Sequence, residues 1–309
     1  MVLAQEYLKP IKYIIPVYPF SQFLAAFLRN DHAPGRATAA ILAGGIFNIF
    51  GDVFFVFGLN LGIYGAGLAT AIGGCISIVV LLSHFVSKTN TLKISKIYGH
   101  VHKMRLLTIN GFSSFISDIA MGVIAMLFNR QIMHYLNSDA LAVFGIIVQV
   151  TTIVQCSTYG VGQAIQPIVS VNYGAGKKER IKEAKTYGLW TVVLLSIVWT
   201  GLVMLIPNGI IRLFMSPTNH VLQIAPTIMR VYALSYLFLP LNIFAIYYFP
   251  SVMKPNIALI ISFARGMVLC GILVYVLPML FGSFAIWWVM PITETLVAIY
   301  VGYCMSKYA

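Results

Sequence analysis

Charge is what this sequence has least of. Only 9% of its 309 residues are charged, against 60% hydrophobic, and the mean hydropathy is +0.89. Soluble domains carry about 25% charged residues. A chain this poor in charge cannot cover a water-facing surface, so its exterior must meet the bilayer. Acidic groups are scarcest: eight Asp and Glu stand against twenty Lys and Arg, for a net charge of +12. Cysteine is sparse as well. Cys75, Cys156, Cys270 and Cys304 form no C-x-x-C pair and sit in apolar runs, so they read as helix-packing residues.

Catalytic motifs are missing too. There is no H-E-x-x-H, no G-x-S-x-G and no metal-spaced Cys/His cluster, and the six His are scattered, mostly in loops. The run from Asn172 to Lys178 has a faint look of a phosphate loop, but Lys178 stands where Ser or Thr belongs and no glycine precedes at the right distance. Neither an ATPase nor any other enzyme is implied, and no resident cofactor. No cleavable signal peptide is evident, because Pro10, Pro16 and Pro19 interrupt an N-terminal stretch that runs on into a long span.

What is there is a series of long apolar runs. Crossing about 30 Å of hydrocarbon takes about 20 apolar residues. Runs of that kind predict nine membrane helices at 11–28, 37–57, 64–86, 106–128, 141–166, 186–206, 229–250, 257–277 and 284–304. Half of the basic residues fall in two short blocks between spans. One is Lys88, Lys93, Lys96, Lys103 and Arg105; the other is Lys177, Lys178, Arg180, Lys182 and Lys185. Arg29, Arg36, Lys254 and Lys307 lie on the same side, which the positive-inside rule makes cytoplasmic, with the C-terminus inside. Basic residues confined to such loops offer no face for nucleic acid.

The order of elements repeats. Pro34, a span, a turn at Gly62 and another span fill 30–86; Pro255 and Gly282 hold the matching places in 251–304. Matching spans are offset by six helices, an even number, so both copies cross the membrane in one direction, as in parallel-repeat transporters. Spans one to three match spans seven to nine, and spans four to six lack counterparts. A parent of two six-helix bundles would leave three N-terminal helices absent, with Met1 an internal start or a gene-fragment boundary.

Charges inside a span are costly, about 2.5–3.5 kcal/mol each near its centre. Asp52, Asp118, Glu294 and Arg265 are so placed. Asn48 lies one helical turn before Asp52, and Thr70 follows in the next span. Carboxylate, amide oxygen and hydroxyl are hard ligands suited to Na+ or to a proton relay. A protonated Asp52 in a helix–helix hydrogen bond is the alternative. Asp118, with Ser113, Ser114 and Ser117 nearby, would bind a proton or a cationic cargo, or pair with Arg265 or a hydroxyl. Glu294 follows Pro291 and Thr293, where a proline break would free carbonyls beside the acid and line a cavity; packing or pairing is its alternative. Arg265 reads as a structural counter-charge. Gln149, Gln155, Gln163 and Gln166 punctuate the fifth span, whose amide run ends at Pro167, and would either line a polar cavity or bond between helices.

Several of these stretches resemble one family. Phe27 to Pro34 is similar to the loop between helices four and five of MATE (multidrug and toxic compound extrusion) transporters. Asn48 to Asp52, then Gly62 to Thr70, resembles their fifth and sixth helices. Gly162 to Pro167, then Asn172 to Ala175, resembles their eighth helix and following loop. The likeness covers essentially the whole chain and is nearest to the bacterial MepA-like and DinF-like branch. It implies an all-α integral membrane fold of twelve helices in two lobes, of which this chain holds helices four to twelve. On that map 1–86 is the second half of the N-terminal lobe, 87–105 the cytoplasmic inter-lobe loop and 106–309 the C-terminal lobe. The resemblance further implies Na+- or H+-coupled antiport of hydrophobic organic cations by a monomer in the bacterial cytoplasmic membrane. It implies a cation site at Asn48, Asp52 and Thr70, although the family's first-helix aspartate has no counterpart here. Asp118 falls on the seventh helix, where some members carry an acid. Two rivals remain open. A lipid-linked oligosaccharide flippase of the same superfamily would need cationic cavity residues, for which only Arg265 offers itself. An inactive membrane fragment is the other.

Overall fold

Proline marks where helices start and bend in this molecule. The computed structural model describes residues 2–93 and 100–308, and every regular element among them is helical. The chain divides into two units, Met1–Tyr98 and Gly99–Ala309.

Unit 1 begins with α1 (Val2–Ile14) and α2 (Val17–Asn30), bent by 44° across Ile15 and Pro16. Pro16 has no N–H to continue the ladder. The span expected at 11–28 is therefore a broken pair that starts earlier, not one helix. Next come α3 (Pro34–Val53), a π-helical turn at Phe54–Gly58, α4 (Gly62–Leu82) and a 3-10 turn at Ser83–Val86. Helices α3 and α4 touch backbone to backbone. A Cβ on Gly44 would lie 2.0 Å from Ser77 Oγ and 2.5 Å from the Gly73 carbonyl oxygen, and a Cβ on Gly73 would lie 2.7 Å from the Gly44 oxygen. In a bilayer, where apolar burial drives little association, such contact between small residues is what holds helices together.

Unit 2 comprises α5 (His100–Tyr135), α6 (Ser138–Gly174), α7 (Lys178–Leu205), a short α8 (Pro207–Phe214) and α9 (Asn219–Ala233). A 3-10 turn at Leu234–Leu237 leads into α10 (Leu239–Ser251). The rest is α11 (Pro255–Phe263), a π-helical turn at Ala264–Leu269, α12 (Cys270–Phe281), a 3-10 stretch at Ser283–Trp288 and α13 (Val289–Tyr308). The aromatic centre of this unit stacks Phe128 on Phe144, ring centroids 5.0 Å apart, with Tyr232 edge-on. Its outer surface stays apolar: Leu194, Ile197, Leu205 and Ile299 are all exposed, as lipid-facing residues are.

Among the described residues, seven helices are long and apolar enough to cross a membrane, eight if the bent pair counts as one span. The remaining expected span, 106–128, lies within the 36-residue α5. One expectation about proline needs correction. Pro167 does not end the fifth span: α6 runs through it to Gly174, and Pro costs little in a helix whose neighbours re-satisfy the freed groups. Pro291 lies inside the Ser283–Tyr308 span, at the third residue of α13, just past the point where the 3-10 stretch gives way to α-helix, and the Thr295 hydroxyl donates to its carbonyl oxygen at 2.7 Å.

The repeat extends to backbone detail. His32 and Met253 both take φ 57°, and Gly62 and Gly282 also have positive φ. The Ala33 N–H donates to the Leu28 oxygen and the Lys254 N–H to the Phe249 oxygen, each at 2.9 Å.

Candidate functional site

In unit 1, α3 carries Asn48 and Asp52 one turn apart, and α4 brings Thr70 against Asn48. The Thr70 hydroxyl has one proton and donates it to the Ala66 carbonyl at 3.0 Å. It must therefore accept from Asn48, whose Nδ2 lies 3.1 Å away. That fixes the amide orientation and turns the Asn48 oxygen away from Thr70. Tyr18 donates its hydroxyl to the Thr70 carbonyl at 3.4 Å. Asn48 and Thr70 line a cleft of about 730 Å³ with Tyr18, Gln22 and Ser77. Asp52 does not line it, but its Oδ1 is buried without a hydrogen-bond partner. An orphaned carboxylate oxygen is costly unless a proton or a cation meets it. The three residues carry hard oxygens, but Asn48 presents its nitrogen to Thr70 and Asp52 stands outside their cleft, so their oxygens do not converge on one point here. Among the described residues no three His, Cys, Asp or Glu side chains form a metal cluster.

Unit 2 holds a saturated charge pair instead. Glu294 is fully buried; Arg265 Nε donates to its Oε1 at 2.5 Å and Asn242 Nδ2 to its Oε2 at 2.7 Å. The same Asn242 amide reaches the Glu294 backbone oxygen at 2.9 Å. Arg265 rides on the π-helical turn, a distortion frequent at functional positions. It also lines a cavity of about 560 Å³ with Thr151, Gln155, Tyr232 and Met290, where Gln155 Oε1 is buried without a partner. Asn242, Arg265 and Glu294 each stand 221 positions after Ser21, Gly44 and Gly73 of unit 1 (242 minus 21, 265 minus 44, 294 minus 73). By the offset of 220 that the Gly62/Gly282 turn sets (282 minus 62), Glu294 corresponds to Gly74 of unit 1, one residue past the Gly73 that meets Gly44, so the charge pair and the glycine contact are near but not equivalent places.

The predicted residues thus separate. Asn48 and Thr70 touch. Glu294 pairs with Arg265, the counter-charge the sequence reading also weighed for Asp118. The Asp118 side chain, like those of Ser113, Ser114 and Ser117, lies outside the described residues, although α5 carries it. Gln163 is half-buried and does not line the cavity, whereas Gln155 does. Gln163 stands eight residues further along α6, about 80° around the helix from Gln155. Asn242 was missed because it bears no charge; an amide deep in a span was the available signal.

A second buried polar cluster also escaped the sequence reading. His84 is fully buried at the end of α4, and Arg36 Nη1 lies 3.2 Å from its Nδ1. Arginine only donates, so Nδ1 accepts and Nε2 carries the proton given to Asp31 Oδ2 at 2.7 Å. Thr91 donates to Asp31 from its hydroxyl and, at 3.0 Å, from its backbone N–H. These bonds, the Thr91 hydroxyl first and His84 next, hold the Asp31 carboxyl down at about 2 from its ordinary 3.8. Asp31 and His32 sit inside the loop motif Phe27 to Pro34, but nothing in the sequence connects them to His84.

Known proteins share both the sequence and the fold. The MatE family model matches residues 113–277. The multidrug export protein MepA of Staphylococcus saprophyticus is 26% identical over 298 residues, covering 96% of this chain and 65% of its own length. MepA of Staphylococcus haemolyticus is 25% identical over 277 residues, covering 89% of this chain and 60% of its own. The chain thus spans somewhat under two thirds of the length of these two relatives. Among solved structures, the MATE multidrug transporter DinF-BH in complex with rhodamine 6G matches with a TM-score of 0.87 at 27% identity, over 99% of this chain and 69% of that one. An outward-facing MATE family transporter of the MOP superfamily shares the fold at a TM-score of 0.88 and 18% identity, over 98% of this chain and 68% of that one.

Proposed function

Because the chain belongs to the MatE family, we propose that it serves as a cation-coupled antiporter. It would exchange Na+ or H+ for hydrophobic organic cations and drugs moved out across the bacterial cytoplasmic membrane. Relatives named multidrug export protein and a structural relative solved with rhodamine 6G support this reading. The observation that carries it is the partnerless buried Oδ1 of Asp52, one turn from the Asn48–Thr70 hydrogen bond.

On this reading, residues 1–86 are the second half of the N-terminal lobe, 87–105 the inter-lobe loop and 106–309 the C-terminal lobe. The basic blocks and the C-terminus face the cytoplasm. Capture of a proton or Na+ at Asp52 removes the cost of its orphaned oxygen and favours the state in which α3 and α4 close around the ion. The π-helical turn at Phe54–Gly58 begins two residues after Asp52 and gives α3 a place to yield. Release reverses that preference and returns the site to bind cargo. Asp118, Glu294 and Gln163 are the proton or cargo candidates of the C-terminal lobe, with Glu294 needing release from Arg265 before it takes a proton. A pyrophosphate-carrying flippase is less well supported, because Arg265 is already neutralised by Glu294.

The test is rhodamine 6G binding to the purified protein by fluorescence polarisation, across Na+ concentration and pH. Asp52→Asn should keep dye binding and lose its response to both ions, and in proteoliposomes it should stop gradient-driven dye movement. A variant whose affinity still follows Na+ or pH as the parent's does would remove Asp52 from the coupling role.

A further inference from the structure

Unit 2 contains a second cleft, of about 1100 Å³, that the transport reading does not use. Lys178, Lys182, Lys185 and Lys254 line it, with the rings of Tyr248 and Tyr308. The first three recur at intervals of four and three along α7, so they share one face. Lys254 enters from the turn before α11, its Nζ 5.2 Å from the centre of the Tyr308 ring, and Lys307 Nζ lies 5.4 Å from the same ring. One acid, Glu179, also lines the cleft, but among the described residues no ion pair joins any of these lysines to a carboxylate. The lysines also crowd the first two turns of α7, the end where a helix dipole disfavours cations, and the N-cap Lys177 gives no side-chain cap. Four lysines gathered in a concave site against one unpaired carboxylate leave an excess of positive charge that calls for an anion.

The level of the cleft indicates which anion. Tyr187 and Trp190, both exposed, follow Lys185 on α7, and Val193, Leu194, Ile197 and Val198 continue the exposed apolar surface beyond them. Aromatic side chains of that kind sit at the headgroup level, with acyl chains below. The lysine cleft therefore lies on the polar side of that belt, at phosphate depth. Lysine binds phosphate as a point charge, and the tyrosine hydroxyls can donate to the remaining oxygens. We propose that this cleft is a phosphate-binding site whose ligand is the headgroup of an anionic phospholipid. The run from Asn172 to Lys178 thus borders a phosphate site of a different kind from a nucleotide loop.

The test uses the full chain in detergent, titrated with phosphatidylglycerol or phosphatidylcholine and followed by thermal unfolding. Phosphatidylglycerol should raise the midpoint and phosphatidylcholine should not. The triple variant Lys178→Gln/Lys182→Gln/Lys185→Gln should weaken the apparent affinity about 10-fold or more. Lys254→Gln should weaken it less, and Lys88→Gln/Lys93→Gln, in the other basic block, should leave it unchanged. Equal affinity in parent and triple variant would overturn the site, as would an equal loss in the Lys88/Lys93 variant. Inorganic pyrophosphate forms the second arm. If it stabilises the parent but not the triple variant while phosphatidylglycerol acts on neither, the assignment to lipid is wrong and a soluble phosphate is the ligand.

Discussion

His32 and Met253, 221 residues apart (253 minus 32), hold the same left-handed backbone, φ 57° in each, two residues before a helix-opening proline. Neither is glycine, although L side chains enter this region at a cost of about 1–2 kcal/mol. Both are exposed, so their side chains contribute little packing. His32→Gly and Met253→Gly should leave thermal unfolding in detergent unchanged or slightly raised. Valine at either site should lower stability by about 1–2 kcal/mol, since a β-branched residue tolerates positive φ worst. A valine variant as stable as its glycine counterpart would contradict the shared turn geometry.

Gly44 and Gly45 separate close contact from open space on adjacent residues. A Cβ on Gly44 meets backbone of the facing helix, whereas a Cβ on Gly45 meets nothing within 4 Å. Gly44→Ala should cost about 1–3 kcal/mol, as overpacking of a rigid contact does. Gly45→Ala should be neutral or slightly stabilising, because alanine favours helix. Thermal unfolding of the two variants side by side checks the α3–α4 contact.

The Arg265–Glu294 pair should behave as a coupled unit. Removing one charge strands the other in the interior, so Arg265→Met and Glu294→Gln should each destabilise by about 3–5 kcal/mol. The double variant should lose clearly less than the sum, and a double-mutant cycle on unfolding midpoints measures the coupling. Additive losses would mean that the two side chains act independently.

The Asp31 cluster carries a pH signature. Its carboxyl is depressed to about 2, so its stabilising contribution is complete above the ordinary value near 3.8 and fades as pH falls toward 2. Asp31→Asn should therefore be less stable than the parent at pH 5 to 7, with the gap narrowing as pH drops below about 4. Thr91→Val removes the largest of the depressing hydrogen bonds and should raise the pH at which the parent's advantage disappears. Unfolding midpoints of the three proteins between pH 3 and 7 provide the comparison. A gap that does not change with pH would show that Asp31 contributes by shape alone.

Much of the architecture was legible in the residues. Apolar runs placed the spans, and the Pro34/Pro255 and Gly62/Gly282 correspondence revealed a repeat that the backbone reproduces at His32 and Met253. The misreadings share a cause. Pro16 bends the first span, Pro167 leaves the fifth intact and Pro291 follows a change from 3-10 to α-helix inside the last. The same residue type has three outcomes, because only the surrounding helices determine whether a missing N–H matters. In the candidate site, Asn48 and Thr70 were found because one helical turn and one short loop bring them together. Asn242 and His84 were not, since their partners lie on distant segments of the chain.

By itself the sequence determined the solvent this chain must live in and the order of its helices, because hydropathy and loop charge are local properties summed along the chain. Tertiary structure alone decided which buried acid is satisfied. Asp52 and Glu294 look alike in sequence, each an acid in the middle of an apolar run. Folding gives Glu294 an arginine and an asparagine and leaves one oxygen of Asp52 bare. In a low-dielectric interior the free energy of a carboxylate is set by atoms within a few ångströms, and those neighbours are chosen by helix packing.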